Sequence, residues 1–127
     1  MKIVNHDCRR RFTAAMKCEC CGRPTPGGCD PAHISARGSG SHKQLDIPCG
    51  FLSMCRSCHT TQHATFVPSR QTMFALAAIR EGMTLEEVVD VVAMLQRAPK
   101  RLWPCEDHEG VKVGRDYFVC GKCGVKI

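Results

Sequence analysis

Cysteine spacing sets the terms on which this chain can fold. Eleven of its 127 residues are cysteine, a density found in disulfide scaffolds and in metal proteins. No apolar run follows the first residues, so no secretory leader is expected. Reducing compartments keep thiols free, and an odd number of cysteines disfavours a complete disulfide framework. Thiolate–metal chemistry is therefore the expectation. No apolar stretch approaches the ~18 residues a membrane helix needs, so no membrane partner is expected.

Two frameworks stand out. The first is Cys18-Glu19-Cys20-Cys21 followed by Cys55-Arg56-Ser57-Cys58. Two C-x-x-C pairs each present two thiolates to one tetrahedral Zn²⁺, so Cys18, Cys21, Cys55 and Cys58 are the expected ligands. Cys20 and Cys29 lie close enough to stand in for Cys18 or Cys21. The second framework is Cys105-Glu106-Asp107-His108 followed by Cys120-Gly121-Lys122-Cys123. Val111, Val113, Tyr117, Phe118 and Val119 supply strand material between its halves. Cys105, His108, Cys120 and Cys123 then read as a zinc ribbon, two knuckles closing a hairpin. A unit this small cannot bury a sufficient core, so metal must supply most of its folding free energy. Cys8 and Cys49 have no evident partner and read as buried thiols.

Between the frameworks the text is helical. A stretch beginning near Pro68-Ser69 carries Met73, Phe74, Leu76, Ala77 and Ile79 at helical spacing and stops around Glu81-Gly82. Thr84 and Glu87 form a capping box ahead of Val88, Val89, Val91, Val92, Met94 and Leu95, and this second helix ends near Ala98-Pro99. Residues 55–64 can start another helix that puts His59 and His63 on one face. The cluster Arg9-Arg10-Arg11 beside Phe12 reads either as a phosphate contact or as a solvated tail or first strand. His6 and His42 read as exposed. The expected organisation is a metal-pinned core over 1–67, a helical pair over 68–99 and a ribbon over 100–127. The fold class is α+β.

Inside the first framework lie Asp30-Pro31-Ala32-His33-Ile34, a Gly/Ser-rich stretch, Lys43-Gln44-Leu45-Asp46 and Cys58-His59 with His63 one helical turn on. Imidazoles and carboxylates at this density suit phosphodiester hydrolysis. A neutral His can deprotonate water near pH 7, and a divalent ion on imidazole or carboxylate stabilises phosphate and leaving oxygen. The formal charge of +6 is compatible with a polyanionic partner.

The order C-x-x-C, Ala32-His33-Ile34, then C-x-x-C-His59 resembles the HNH, or ββα-metal, endonucleases. It is especially similar to phage and prophage members, including the endonuclease VII type of junction resolvase. Ala32-His33-Ile34 with Gly38, Gly40, Lys43 and Asp46 also looks like a small prophage family of nucleases. The resemblance covers residues 18–63, close to a third of the chain. It implies a metal-dependent DNA endonuclease acting in recombination, repair or genome processing in a bacterial cytoplasm, on double-stranded or branched DNA. Two structural Zn²⁺ ions would accompany a catalytic Mg²⁺, Mn²⁺ or other divalent ion. By that likeness His33 is the general base, and His59 and His63 bind the catalytic metal. Arg37 and Lys43 in the intervening loop can hold flanking phosphates. Two departures stand out. Ala32 occupies a position that usually ligates the metal, so the missing ligand falls to Asp30 or Asp46, of which Asp46 is favoured. The Asn that orients the base has no counterpart, since Cys49-Gly50-Phe51 fills its region. Branch specificity would call for a homodimer, for which the apolar residues 73–95 are available. The alternative is a non-catalytic zinc-binding nucleic-acid or regulatory protein in which His33, His59 and His63 are extra zinc ligands.

Overall fold

A computed structural model describes residues 1–35, 44–99 and 105–127. In chain order these form α1 (His6–Thr13), β1 (Asp30–His33), a 3₁₀ turn (Pro48–Gly50), β2 (Phe51–Met54), α2 (Arg56–Thr65), α3 (Arg70–Glu81), α4 (Leu85–Arg97), β3 (Gly110–Gly114) and β4 (Tyr117–Cys120). The architecture is α+β, with two small antiparallel sheets, β1–β2 and β3–β4. Among the described residues no helix is long and apolar enough to cross a membrane.

Helix ends follow local chemistry. The Ser69 hydroxyl accepts from the Thr72 amide to start α3, and Thr84 and Glu87 close the capping box that starts α4. Gly82 ends α3 at φ 65°, the left-handed position that glycine fills without a Cβ penalty. In α2 the N-cap is Cys55 itself, whose Sγ accepts from the Cys58 amide at 3.4 Å. The second C-x-x-C pair is therefore also the helix start.

The basic cluster is neither tail nor strand. Residues 6–13 are helical because the Asn5 side chain caps the Cys8 amide, and Cys8 and Phe12, four apart, bury one face. Arg9, Arg10 and Arg11 fall on the remaining faces.

The segments 1–67, 68–99 and 100–127 share buried contacts. Ile3, Leu45, Ile47 and Cys49 pack with Ala78, Val88, Val92 and Leu95 and with Val113 and Val119 in one apolar cluster. A second cluster places Ala32, Ile34, Leu52 and Met54 against Met73 and Ala77 of α3. Gly114 lets β3 pass close to the 3₁₀ turn, since a Cβ there would lie 2.7 Å from the Pro48 side chain.

A polar knot ties these layers together. Arg80 donates through Nη1 to both Glu19 oxygens at 2.7 and 2.8 Å, and through Nη2 to the carbonyls of Pro48 and Phe51 at 2.6 and 2.9 Å. Its Nε donates to Glu81, and its guanidinium lies 4.6 Å from the centroid of Phe12. Glu19 accepts from the Ser53 amide at 2.8 Å and donates its own amide to the Ser53 carbonyl. Since Glu19 sits inside the first cysteine pair, the knot sets where that pair stands against β2.

Candidate metal centre and active site

Strand β1 runs antiparallel to β2 with Asp30 opposite Met54 and His33 opposite Phe51. That register puts Asp30 at one end of the hairpin, beside α2, and His33 at the other, beside the 3₁₀ turn. Chain order through the site is strand, strand, helix.

Two groups of ligand atoms converge, and they are the sets expected from spacing. Cys18, Cys21, Cys55 and Cys58 bring their sulfurs within 4.8 Å of one another, as do the donor atoms of Cys105, His108, Cys120 and Cys123. Around a tetrahedral zinc, Zn–S bonds of about 2.3 Å put sulfurs ~3.8 Å apart, and a Zn–N bond of about 2.1 Å puts sulfur and nitrogen ~3.6 Å apart. Cys21 and Cys55 stand at 3.9 Å, Cys105 and Cys120 at 4.0 Å, and Cys123 Sγ and His108 Nδ1 at 3.6 Å. Donor chemistry and spacing both fit a structural ion such as zinc at each group.

Thiol electrostatics agree with that fit. Burial alone would raise the Cys18 thiol, but amide donors from Cys21, Cys55 and Cys20 bring it down to about 7. Burial and the neighbouring sulfurs push Cys58 the other way. In the second group burial likewise opposes ionisation of Cys120, yet the Cys123 amide and the His108 ring draw it to about 5. Burial and the sulfurs of Cys123 and Cys120 raise Cys105. Four thiols this close resist simultaneous ionisation unless a cation shares their charge. Cys20 borders the first group without belonging to it, and Cys29 instead pairs with the Thr25 hydroxyl at 3.1 Å. Cys8 and Cys49 are buried, and burial pushes their thiols up to about 11 and about 12.

The histidines form two separate pairings. His33 Nε2 lies 2.7 Å from Asp46 Oδ1, and its ring packs on Phe51 with centroids 4.4 Å apart. Asp46 is fully buried. It also accepts the Asn5 amide at 2.8 Å and the Gln44 side-chain amide at 3.1 Å on each oxygen. Burial by itself would raise its carboxyl; the bonds from Asn5, His33 and Gln44 outweigh that and hold it below the ordinary value of 3.8. An ionised Asp46 accepts from His33 Nε2–H, so in the neutral imidazole the lone pair is on Nδ1.

Farther along, His59 Nδ1 lies 3.0 Å from Asp30 Oδ2, and His59 Nε2 lies 3.0 Å from His63 Nε2. Arg56 also reaches Asp30, at 3.2 Å. Asp30, rather than Asp46, therefore stands behind the His59–His63 pair. Hairpin register decides this, because β1 carries Asp30 to the foot of α2 while both Asp46 oxygens are engaged with Asn5, Gln44 and His33. Neither histidine belongs to the two four-ligand groups.

A groove of about 460 Å³ runs between the end of β1 and the α2–α3 junction, lined by His33, Ile34, Gln62, His63, Phe66, Ser69 and Arg70. His33 and His63 thus share one cleft. Arg37, Lys43 and His42 lie outside the described residues, and His6 is exposed. Sequence reasoning missed Asn5 and Gln44, which hold Asp46, and Phe66 and Arg70, which border the groove. An Asn before a short amphipathic helix was the available signal for the first; the others had none.

Compared with known protein families, curated proteins and solved structures, the chain gives no match.

Proposed function

We propose that the chain is a metal-dependent DNA endonuclease of the ββα-metal kind, with two structural zinc ions framing one catalytic centre. The observation that carries this reading is that three histidines stand outside two complete four-ligand groups, in geometries suited to separate tasks. Two nitrogens that share one ion at ~2.1 Å on adjacent octahedral positions are ~3.0 Å apart, and His59 Nε2 and His63 Nε2 are 3.0 Å apart. Asp30 accepts from His59 Nδ1–H, the carboxylate–histidine arrangement that aims a ligating nitrogen. Two protein nitrogens leave an ion open to water and phosphate, as a catalytic site requires. The strand–strand–helix order agrees with the sequence resemblance.

In this mechanism Asp46 holds the His33 tautomer. His33 Nδ1 takes a proton from water as the water oxygen attacks the phosphorus, and the P–O bond to the 3′ oxygen breaks. His59 and His63 would hold a Mg²⁺ or Mn²⁺ ion, which supplies charge neutralisation at the phosphate and the departing oxygen. Asp46 thereby takes the orienting task that an Asn would perform. The basic balance of the chain suits a DNA partner, and the roles we assign it are phage or prophage recombination and repair in a bacterial cytoplasm.

The test is incubation of wild type and His33→Ala with supercoiled plasmid, single-stranded DNA and branched DNA in Mg²⁺, Mn²⁺ and Zn²⁺. Wild type should nick or cut in Mg²⁺ or Mn²⁺, and His33→Ala should lose about 10²–10⁴-fold in rate with zinc content unchanged. An inert wild type, or an active His33→Ala, defeats the endonuclease reading. Zinc loss in His33→Ala would favour the non-catalytic zinc-binding protein.

A further inference from the structure

Phe66 breaks a rule that the same chain obeys elsewhere. It follows α2 directly at φ 57°, ψ 28°, with its amide donating to the Gln62 carbonyl. A left-handed C-terminal residue is normally glycine, because any Cβ there is strained and a bulky side chain more so. Helix α3 ends in nearly the same conformation, φ 65°, ψ 35°, and there the residue is Gly82. Nor does burial compensate the strain at Phe66. Phe66 is 74% exposed, the next residue Val67 is 65% exposed, and neither belongs to an apolar cluster. Among the described residues no ring or cation stacks on Phe66. A strained, exposed aromatic is retained against local preference, and such outliers concentrate at functional sites.

Its position indicates the occupant. Phe66 borders the groove that His33 and His63 line, and it lies three positions after His63, about 4.5 Å of helix rise. That distance is comparable with the ~3.4 Å that each nucleotide occupies along a strand. Arg70 lines the same groove, among the described residues no carboxylate does, and α2 contains no acidic residue. A polyanion with flat apolar faces matches this surface.

We infer that Phe66 is a stacking platform for an unpaired nucleobase, one or two nucleotides from the phosphate held at the histidine site. The inference rests on the endonuclease reading and narrows its substrate to DNA with accessible bases: single strands, flaps or junctions rather than continuous duplex. Stacking on one aromatic ring is tolerant of base identity.

The experiment uses the zinc-loaded full chain in a His33→Ala background, which binds without cutting. The probe is a single-stranded oligonucleotide carrying one 2-aminopurine, whose fluorescence falls when the base stacks. Binding should quench the probe. Adding Phe66→Gly should remove the quench and weaken binding about tenfold, while Phe66→Trp should keep both. The melting temperature of Phe66→Gly should equal or exceed that of its parent, since glycine suits the backbone. Equal affinity and quenching with Phe66→Gly, or a lowered melting temperature, overturns the inference. If wild type cleaves DNA and Phe66→Gly cleaves single-stranded and branched substrates equally well, only the stacking role falls. If wild type neither binds nor cleaves DNA, the endonuclease reading falls and takes this inference with it.

Discussion

Asp46→Asn should disable the site while leaving the fold standing. Asp46 is buried, and its oxygens accept four hydrogen bonds, from His33 and Gln44 on Oδ1 and from Asn5 and Gln44 on Oδ2. An asparagine replaces one oxygen with an NH₂ group, so one side must present a donor. The Asn5 amide cannot turn to accept, whereas the His33 imidazole can accept by moving its proton from Nε2 to Nδ1. The amide nitrogen therefore faces His33, and the proton lands on the nitrogen that the proposed mechanism uses as base. A wrong tautomer costs about 10²–10⁴ in rate. The stability cost is smaller. One Gln44 contact is lost and the three remaining bonds lose their charge assistance, partly offset because a charge is no longer buried, for a net cost of about 1–3 kcal/mol. Nicking rates on branched DNA, zinc content and urea unfolding measured on the same preparation separate the two effects. The reasoning is refuted if Asp46→Asn nicks at the wild-type rate while His33→Ala does not. It is refuted equally if the substitution releases zinc.

Glu81 carries a second set of expectations. It is fully buried and accepts from Arg80 at 2.6 Å, Arg11 at 2.8 Å and the Arg115 amide at 3.1 Å. Arg11 is half exposed and adds little, and Arg80 keeps its pairing with Glu19, so Glu81→Ala should cost about 2–4 kcal/mol by leaving Arg80 Nε and the Arg115 amide without acceptors; a loss under ~1 kcal/mol in urea unfolding would contradict the knot. Burial opposes ionisation of Glu81, but Arg80 and the Arg115 amide hold its carboxyl below the ordinary 4.5, and Asp46 likewise lies below 3.8. Their stabilisation is therefore complete above about pH 4.5 and fades as pH falls through the lowered folded values. The acid slope of stability should flatten in Glu81→Gln, and an unchanged slope would count against this assignment. Cys58→Ala should release one zinc ion and unfold the β1–β2 hairpin, whereas Cys123→Ala should release only the other. Loss of both ions from either variant would show that the groups are not separate.

What could be read from the sequence was local in origin. The C-x-x-C pairs, the Ser69 and Thr84–Glu87 caps and Gly82 each act over four residues or fewer, and all appear where spacing placed them. Helix α1 escaped because its signal is only Asn5 and the pair Cys8 and Phe12 within an arginine-rich stretch. The choice between Asp30 and Asp46 escaped for a different reason. It depends on hairpin register and on the return of the chain through Leu45 and Ile47, which no short window contains. Arg80 and Glu81 read as an ordinary charged helix end; they are drawn inward because Gly114 and the 3₁₀ turn close over that end.

The separation of two closed zinc groups from an open histidine pair is tested most directly by counting metal. Zinc-loaded protein should hold two zinc ions and bind one further Mn²⁺ detectable by electron paramagnetic resonance. His63→Ala should abolish the Mn²⁺ site and keep both zinc ions. Release of zinc by His63→Ala, or Mn²⁺ binding identical to wild type, would contradict the account.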